Sequence, residues 1–346
     1  MCNFCRVLNN FHYLCSPKKN QRSMKMYHLL CMVAAFSIAA CGSGQSAEQS
    51  AAEADTAAVT AVVDFNADSA FAFVQRQCQF GPRVPLTPAH RQCGEWIEAQ
   101  LKRFCHKVVA QPAPVTTFDG KQLDATNYIG IINPEASKRV LLVAHWDCRP
   151  WADADPDEAK HREPVMGAND GASGVGVLLE MARIMREKAP SIGVDILLVD
   201  AEDWGTSDIE ESWALGTQYW VSHPHVPGYS PMFGILLDMV GAADAQFYHE
   251  AFSLQSAPDV VQQLWTVAAN SGYSNHFKSM GFGAATDDHV FISRGGIPCI
   301  DVIDMRPNSN GGFYPHWHTT ADTIDKISPA TLKAVGQSLA NFIYGL

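Results

Sequence analysis

The chain has 346 residues, 47% of them hydrophobic, 18% charged and 10% aromatic. That composition excludes a disordered, collagen-like or coiled-coil protein and suits either two domains or one large α/β domain. Lys and Arg number 25 against 36 Asp and Glu, for a formal net charge of −11; a nucleic-acid partner, which needs a basic footprint, is excluded.

In chain order, residues 1–41 read as a targeting segment. Arg6, Lys18, Lys19, Arg22 and Lys25 stand without any acid in residues 1–40, and an apolar run from Tyr27 ends in Ile38-Ala39-Ala40-Cys41. A basic stretch, a short apolar run and small residues make a secretory signal. The run falls short of the roughly 20 residues that span a bilayer. The residues before Cys41 look like the lipobox of a bacterial lipoprotein, whose Cys carries lipid and becomes the first residue. An incidental Cys after an ordinary signal is the alternative. Met24 or Met26 is a more usual start for such a segment. The expected location is the bacterial cell envelope, periplasm or outer membrane, with membrane contact only through Cys41. Residues 42–63, rich in Ala, Ser and Glu, read as a flexible tether. Of ten Cys, five lie beyond Cys41: Cys78, Cys93, Cys105, Cys148 and Cys299. None of the five forms a CxxC pair, so a structural zinc knuckle is not expected. An exported chain can form disulfides, but an odd count leaves one thiol over.

Residues 64–346 read as one domain. Asp64 to Gln77 has helical spacing through Phe65, Phe71 and Val74. Thr87-Pro88 gives an N-cap with proline in the first turn, opening a helix to about Phe104. Residues 125–132 read as a strand. Val140–Ala144, Val194–Val199, Gly234–Leu237 and Ile297–Ile303 are continuous apolar runs, the mark of strands buried on both faces. Helical patterns at Ser173–Lys188 and Ala257–Ser271 lie between them, and Ser328-Pro329 caps a last helix to Tyr344. This alternation predicts an α/β sandwich with a twisted, mixed, mostly parallel sheet between helices.

Polar residues follow the runs, where open α/β sheets place their ligands: His145-Trp146-Asp147, Asp200-Ala201-Glu202-Asp203, and Asp238. Asp170 stands before one helix, Asp287-Asp288-His289 opens another, and Trp317-His318 precedes the last. Each alone is an ordinary cap or loop acid. Gathered at one sheet edge they would repel one another without a cation. Asp, Glu and His donors without Cys suit zinc with an open position. The HExxH, GxSxG, P-loop and dinucleotide-binding motifs are absent from the sequence.

The segments VLLVAHWD, GANDGASG, LLVDAEDWG, ILLDMVGA, DDHVFISRGGIP and WHTTADTID resemble, in this order, the co-catalytic zinc aminopeptidase superfamily. Within it the chain is most similar to the glutaminyl-peptide cyclotransferases of the bacterial envelope. Asp287 replaces the Ser usual in the aminopeptidases, and Phe313 and Trp317 match the cyclotransferase pattern. The resemblance implies one zinc held by Asp170, Asp203 and His318. Asp203 stands where the family more often has Glu, so the backbone there must lie closer to the metal. The resemblance further implies Glu202 as general acid/base, Asp238 and Asp287 as holders of the substrate amine and its proton network, and Phe313 and Trp317 as walls of a glutamine pocket. The implied substrates are peptides and proteins with N-terminal Gln. The alternative is a two-zinc aminopeptidase using His145 and Asp238 for a second ion, and the ligand set alone does not decide between the two. Trp204 and Trp213 read as packing or pocket rim. Oligomeric state is left open.

Overall fold

The computed structural model describes residues 63–309 and 312–346; the targeting segment and all but the last residue of the tether lie outside them. In chain order the helices are α1 (Ala67–Gln79), α2 (Pro88–Phe104), α3 (Ala172–Glu187), α4 (Leu215–Ser222), α5 (Ala251–Ser256), α6 (Pro258–Asn270), α7 (Asp288–Arg294) and α8 (Pro329–Tyr344). The strands are β1 (Lys107–Thr116), β2 (Gln122–Ile132), β3 (Arg139–His145), β4 (Gly193–Val199), β5 (Gly234–Asp238), β6 (Phe247–His249), β7 (Phe277–Gly281) and β8 (Cys299–Ile303). Six of them form one sheet in the order β1-β2-β4-β3-β5-β8, while β6 and β7 pair separately. β4, β3, β5 and β8 run parallel, β2 is antiparallel to β4, and β1 is antiparallel to β2.

The apolar runs are the parallel strands, and their residues divide by parity between two cores. Val140, Leu142, Val194, Ile196, Ile235, Leu237, Ile300 and Val302 face a large core with α1, α2, α3, α6 and α8. Leu141, Val143, Leu197, Leu236 and Cys299 face a smaller one closed by Trp220 of α4 and Ile292 of α7. Burial on both faces removes any polar alternation, which is why these strands read as continuous runs.

Thr87 caps α2 by accepting the His90 N–H at 3.2 Å. Ser328 occupies the N-cap position of α8 but makes no side-chain cap; its N–H donates to the Gly241 carbonyl and its own carbonyl takes the Leu332 N–H. The expected side-chain cap is thus corrected: the backbone does the work there. β1 went unread in the sequence. It is the outer strand, mostly exposed or half-buried, with Pro112 and Pro114 in it. All five Cys beyond Cys41 are free thiols, four of them buried.

Two glycines let helices approach the strand ends closely. A Cβ on Gly174 of α3 would meet the Leu237 carbonyl oxygen at 2.2 Å, and one on Gly216 of α4 the Asp200 oxygen at 2.1 Å. Bare backbone at these crossings brings the α3 N-terminus against the end of β5 and the α4 N-terminus against the end of β4.

Candidate active site

The site lies beyond the carboxyl ends of β3, β4 and β5, where loops from α3, α7 and α8 converge. Asp170, Glu202, Asp203, Asp238, Asp287, Phe313, Trp317 and His318 all line one cavity of about 350 Å³. Sequence reasoning gathered these eight from five separate segments.

Each segment is held by buried hydrogen bonds. After β3, the Asp147 carboxylate accepts the Glu202 and Asp203 N–H groups at 3.1 and 3.2 Å. After β4, the chain turns through Ala201 at φ +53°, and Ala214, Leu215 and Gly216 N–H groups bond the carbonyls of Glu202, Ala201 and Asp200. Before α3, the Asp322 carboxylate accepts the Asn169 and Asp170 N–H groups at 3.0 Å, tying the Asp170 loop to the His318 loop. The Asn169 side-chain oxygen in turn accepts the Gly241 and Ala242 N–H groups after β5.

Asp170, Asp203 and His318 have potential ligand atoms within 4.8 Å of one another. His318 Nε2 is 3.2 Å from Asp203 Oδ1 and 3.7 Å from Asp170 Oδ2. Asp203 Oδ2 is buried with no hydrogen-bond partner. A buried carboxylate oxygen left unpaired is costly, and a cation at this point would satisfy it. Two carboxylates and one imidazole with a cavity beside them fit zinc with an open position. His318 itself is at φ +53°. Its ring stacks on Trp317 at 3.7 Å between centroids and on Trp213 at 6.1 Å, while Phe313 stands 4.9 Å from Trp317.

His145, Asp170 and Asp238 form a second triad within the same 4.8 Å limit. Here His145 Nε2 is 3.1 Å from oxygens of both acids and donates to Asp238. Burial opposes charge on His145, but its contacts with Asp147, Asp170 and Asp238 prevail and raise its pKa well above the usual histidine value. A third triad, Asp287, His289 and Asp301, lies deeper; His289 Nε2 bonds Glu250 at 3.1 Å.

Glu202 is 8% exposed and its pKa is pushed well above the usual carboxylate range, first by burial and then by the charge of Asp287. Burial and the neighbouring Asp170 raise Asp238 to about 6, though its bond to His145 opposes the shift. Burial and Asp238 raise Asp287 to about 7. Three carboxyl groups titrating well above their ordinary range in one cavity are a set suited to moving protons.

Trp204 and Trp213, read as packing or pocket rim, prove to be one of each, while two acids around the site, Asp322 and Asp301, went unread. Trp213 lines the cavity, whereas Trp204 packs in a small buried cluster. Asp322 sits in the motif after His318, but its backbone bonds have no sequence signature. Asp301 carries one: an acid inside the apolar run of β8, fully buried.

Residues 127–343 match the model for peptidase family M28. Among solved structures, a Zn-dependent exopeptidase of Parabacteroides distasonis is 51% identical, with a TM-score of 0.81, covering 83% of this chain and 100% of that one. The glutaminyl cyclase of Bacteroides thetaiotaomicron is 47% identical, also with a TM-score of 0.81, covering 82% and 99%. A mouse glutaminyl-peptide cyclotransferase-like protein is 27% identical over 75% of this chain and 71% of its own length.

Proposed function

The chain belongs to peptidase family M28, in its glutaminyl cyclase branch, and we propose that it cyclises N-terminal glutamine of peptides and proteins to pyroglutamate, releasing ammonia. The carrying observation is the cavity itself: Glu202 stands beside one complete zinc triad, facing a wall of Phe313 and Trp317. In this reading Asp170, Asp203 and His318 hold one zinc per chain. When bound, zinc supplies Lewis acidity to an amide carbonyl.

The reaction joins the substrate's α-nitrogen to its own side-chain amide carbon and breaks that carbon's bond to the leaving nitrogen. The nucleophile is tethered to its target, so holding the glutamine in a folded pose provides much of the rate. Phe313 and Trp317 set that pose with flat apolar faces and keep out water, which would compete as nucleophile. Asp238 accepts a hydrogen bond from the α-amine and orients it. Glu202 takes a proton from that amine and returns one to the departing nitrogen, so no net proton is consumed within the step. Asp287, whose charge adds to burial in raising the Glu202 pKa, favours the protonated form of Glu202 when ionised.

The second reading, a two-zinc aminopeptidase, is favoured by the complete His145–Asp170–Asp238 donor set. Against it, Asp287, Phe313 and Trp317 match the cyclotransferase pattern, and the glutaminyl cyclase of Bacteroides thetaiotaomicron is 47% identical over 82% of this chain. One assay separates the readings. A Gln-initiated peptide is expected to release ammonia and lose its reactive amine without shortening, with about one zinc bound per chain. Release of a free amino acid, dependent on two zincs, favours the peptidase.

The basic residues and the small residues before Cys41 support export and lipid anchoring as part of this proposal, with exported proteins that expose an N-terminal Gln as substrates. Mass spectrometry of the mature chain is expected to find lipidated Cys41 at its start; a chain starting elsewhere removes the basis for the anchor.

A further inference from the structure

The segment from Arg149 to Asp155 packs against Asp203 and His318. The Arg149 side chain is 3% exposed. Its Nη1 donates to the Asp203 carbonyl at 3.2 Å, to Asp203 Oδ1 at 3.3 Å and to the Gly205 carbonyl at 3.3 Å. Its Nε and Nη2 make a two-pronged bond to Asp153 at 2.7 and 2.6 Å. The same Asp153 carboxylate lies 3.6 Å from His318 Nδ1, on the side of the ring away from Asp203. The next residue, Ala154, donates its N–H to the His318 carbonyl at 3.1 Å, and Asp155 accepts the N–H and hydroxyl of Thr320. The guanidinium sits 5.0 Å from the Trp213 ring that also covers His318.

We propose that Arg149 and Asp153 are positioning residues, a charge-neutral clip that holds Asp203 and His318 in place as zinc ligands. The inference rests on the zinc-dependent reading above and deepens it. Three physical points carry it. A histidine that binds metal through one ring nitrogen characteristically offers the other N–H to a carboxylate, which fixes the ring; Asp153 is the carboxylate beside that nitrogen of His318, at ion-pair rather than hydrogen-bond distance. His318 also has the left-handed backbone that side chains other than glycine rarely adopt, and the Ala154 bond holds it there. Finally, a lone guanidinium touching a ligand oxygen would compete with the ion for that oxygen and repel it. Asp153 cancels that charge, leaving Arg149 free to fix the Asp203 backbone. Arg, with donors in a rigid fork, can serve a carboxylate and several carbonyls together; a Lys ammonium cannot hold that geometry.

The test is the zinc dissociation constant, measured by competition with a chromogenic chelator on wild type, Asp153→Asn, Arg149→Lys and the double variant Arg149→Met/Asp153→Asn. The Asp153 side chain is 44% exposed, so its amide variant opens no buried hole. Asp153→Asn and Arg149→Lys are each expected to weaken zinc by about 10–100-fold, the range for partners of metal ligands. Removing both charges restores neutrality, so the double variant is expected to bind zinc no more weakly than Asp153→Asn alone, which leaves the Arg149 charge uncompensated beside Asp203. The Co²⁺-substituted singles are expected to show an altered visible spectrum. Zinc affinity within twofold of wild type in both single variants overturns the clip, as does an effect confined to the melting temperature of the zinc-free protein. A wild type that binds no zinc overturns the zinc-dependent reading and the clip with it.

Discussion

Glu202→Gln is expected to lower kcat on a Gln-initiated peptide by about 10²–10⁴-fold, the usual cost of losing a general acid/base. Zinc content and melting temperature should stay near wild type. Glu202 is anchored through its backbone, to Asp147 and to Ala214, so the amide keeps the loop and the shape. What disappears is a group that can both accept and release a proton. Burial and the nearby acids push the Glu202 pKa up, so the proton it gains from the amine is held firmly enough to be carried rather than lost to water. The check is steady-state ammonia release alongside metal analysis of the same preparation. Turnover close to wild type removes Glu202 from the mechanism.

His318→Ala should be more severe. It removes one of the three proposed zinc donors and the imidazole that stacks on Trp213 and Trp317. Lewis-acid activation contributes several kcal/mol, and each 1.36 kcal/mol is tenfold in rate, so kcat/KM should fall by more than about 10³-fold. The purified variant should carry little zinc. Wild type stripped by a chelator should behave in the same way and recover when zinc is restored, which separates loss of metal from loss of fold. A variant that retains stoichiometric zinc and its activity removes His318 from the triad.

Much of this site could be read from sequence because its residues lie at the ends of elements with strong signals. The four parallel strands are apolar on both faces, so their ends were visible, and with them His145, Asp203 and Asp238. Asp170 and Asp287 lie at helix starts. β1 was not visible: its sequence KVVAQPAPVT contains two prolines and no residue but Ala113 that is fully buried, the composition of a loop as much as of an edge strand. β6 and β7, three and five residues long, are too short to show a period. Arg149 and Asp153 were missed for another reason. Four residues apart in a loop, they look like a solvated ion pair, and only the fold buries Arg149 against Asp203. The upward shift of the Glu202 pKa was equally hidden, because it comes from burial in the folded cavity and then from Asp287, which is 85 positions away in sequence.

The outer edge of β1 has a consequence beyond the catalytic cavity. Pro112 and Pro114 have no N–H to offer a newcomer, and in a strand that pairs on one side only such residues turn their nitrogens toward solvent. A sheet margin that lacks donors at two of its positions is a poor template for strand addition. Growth of the sheet outward from β1 is thus opposed at its middle, where Pro112 and Pro114 would face an added strand with nothing to donate.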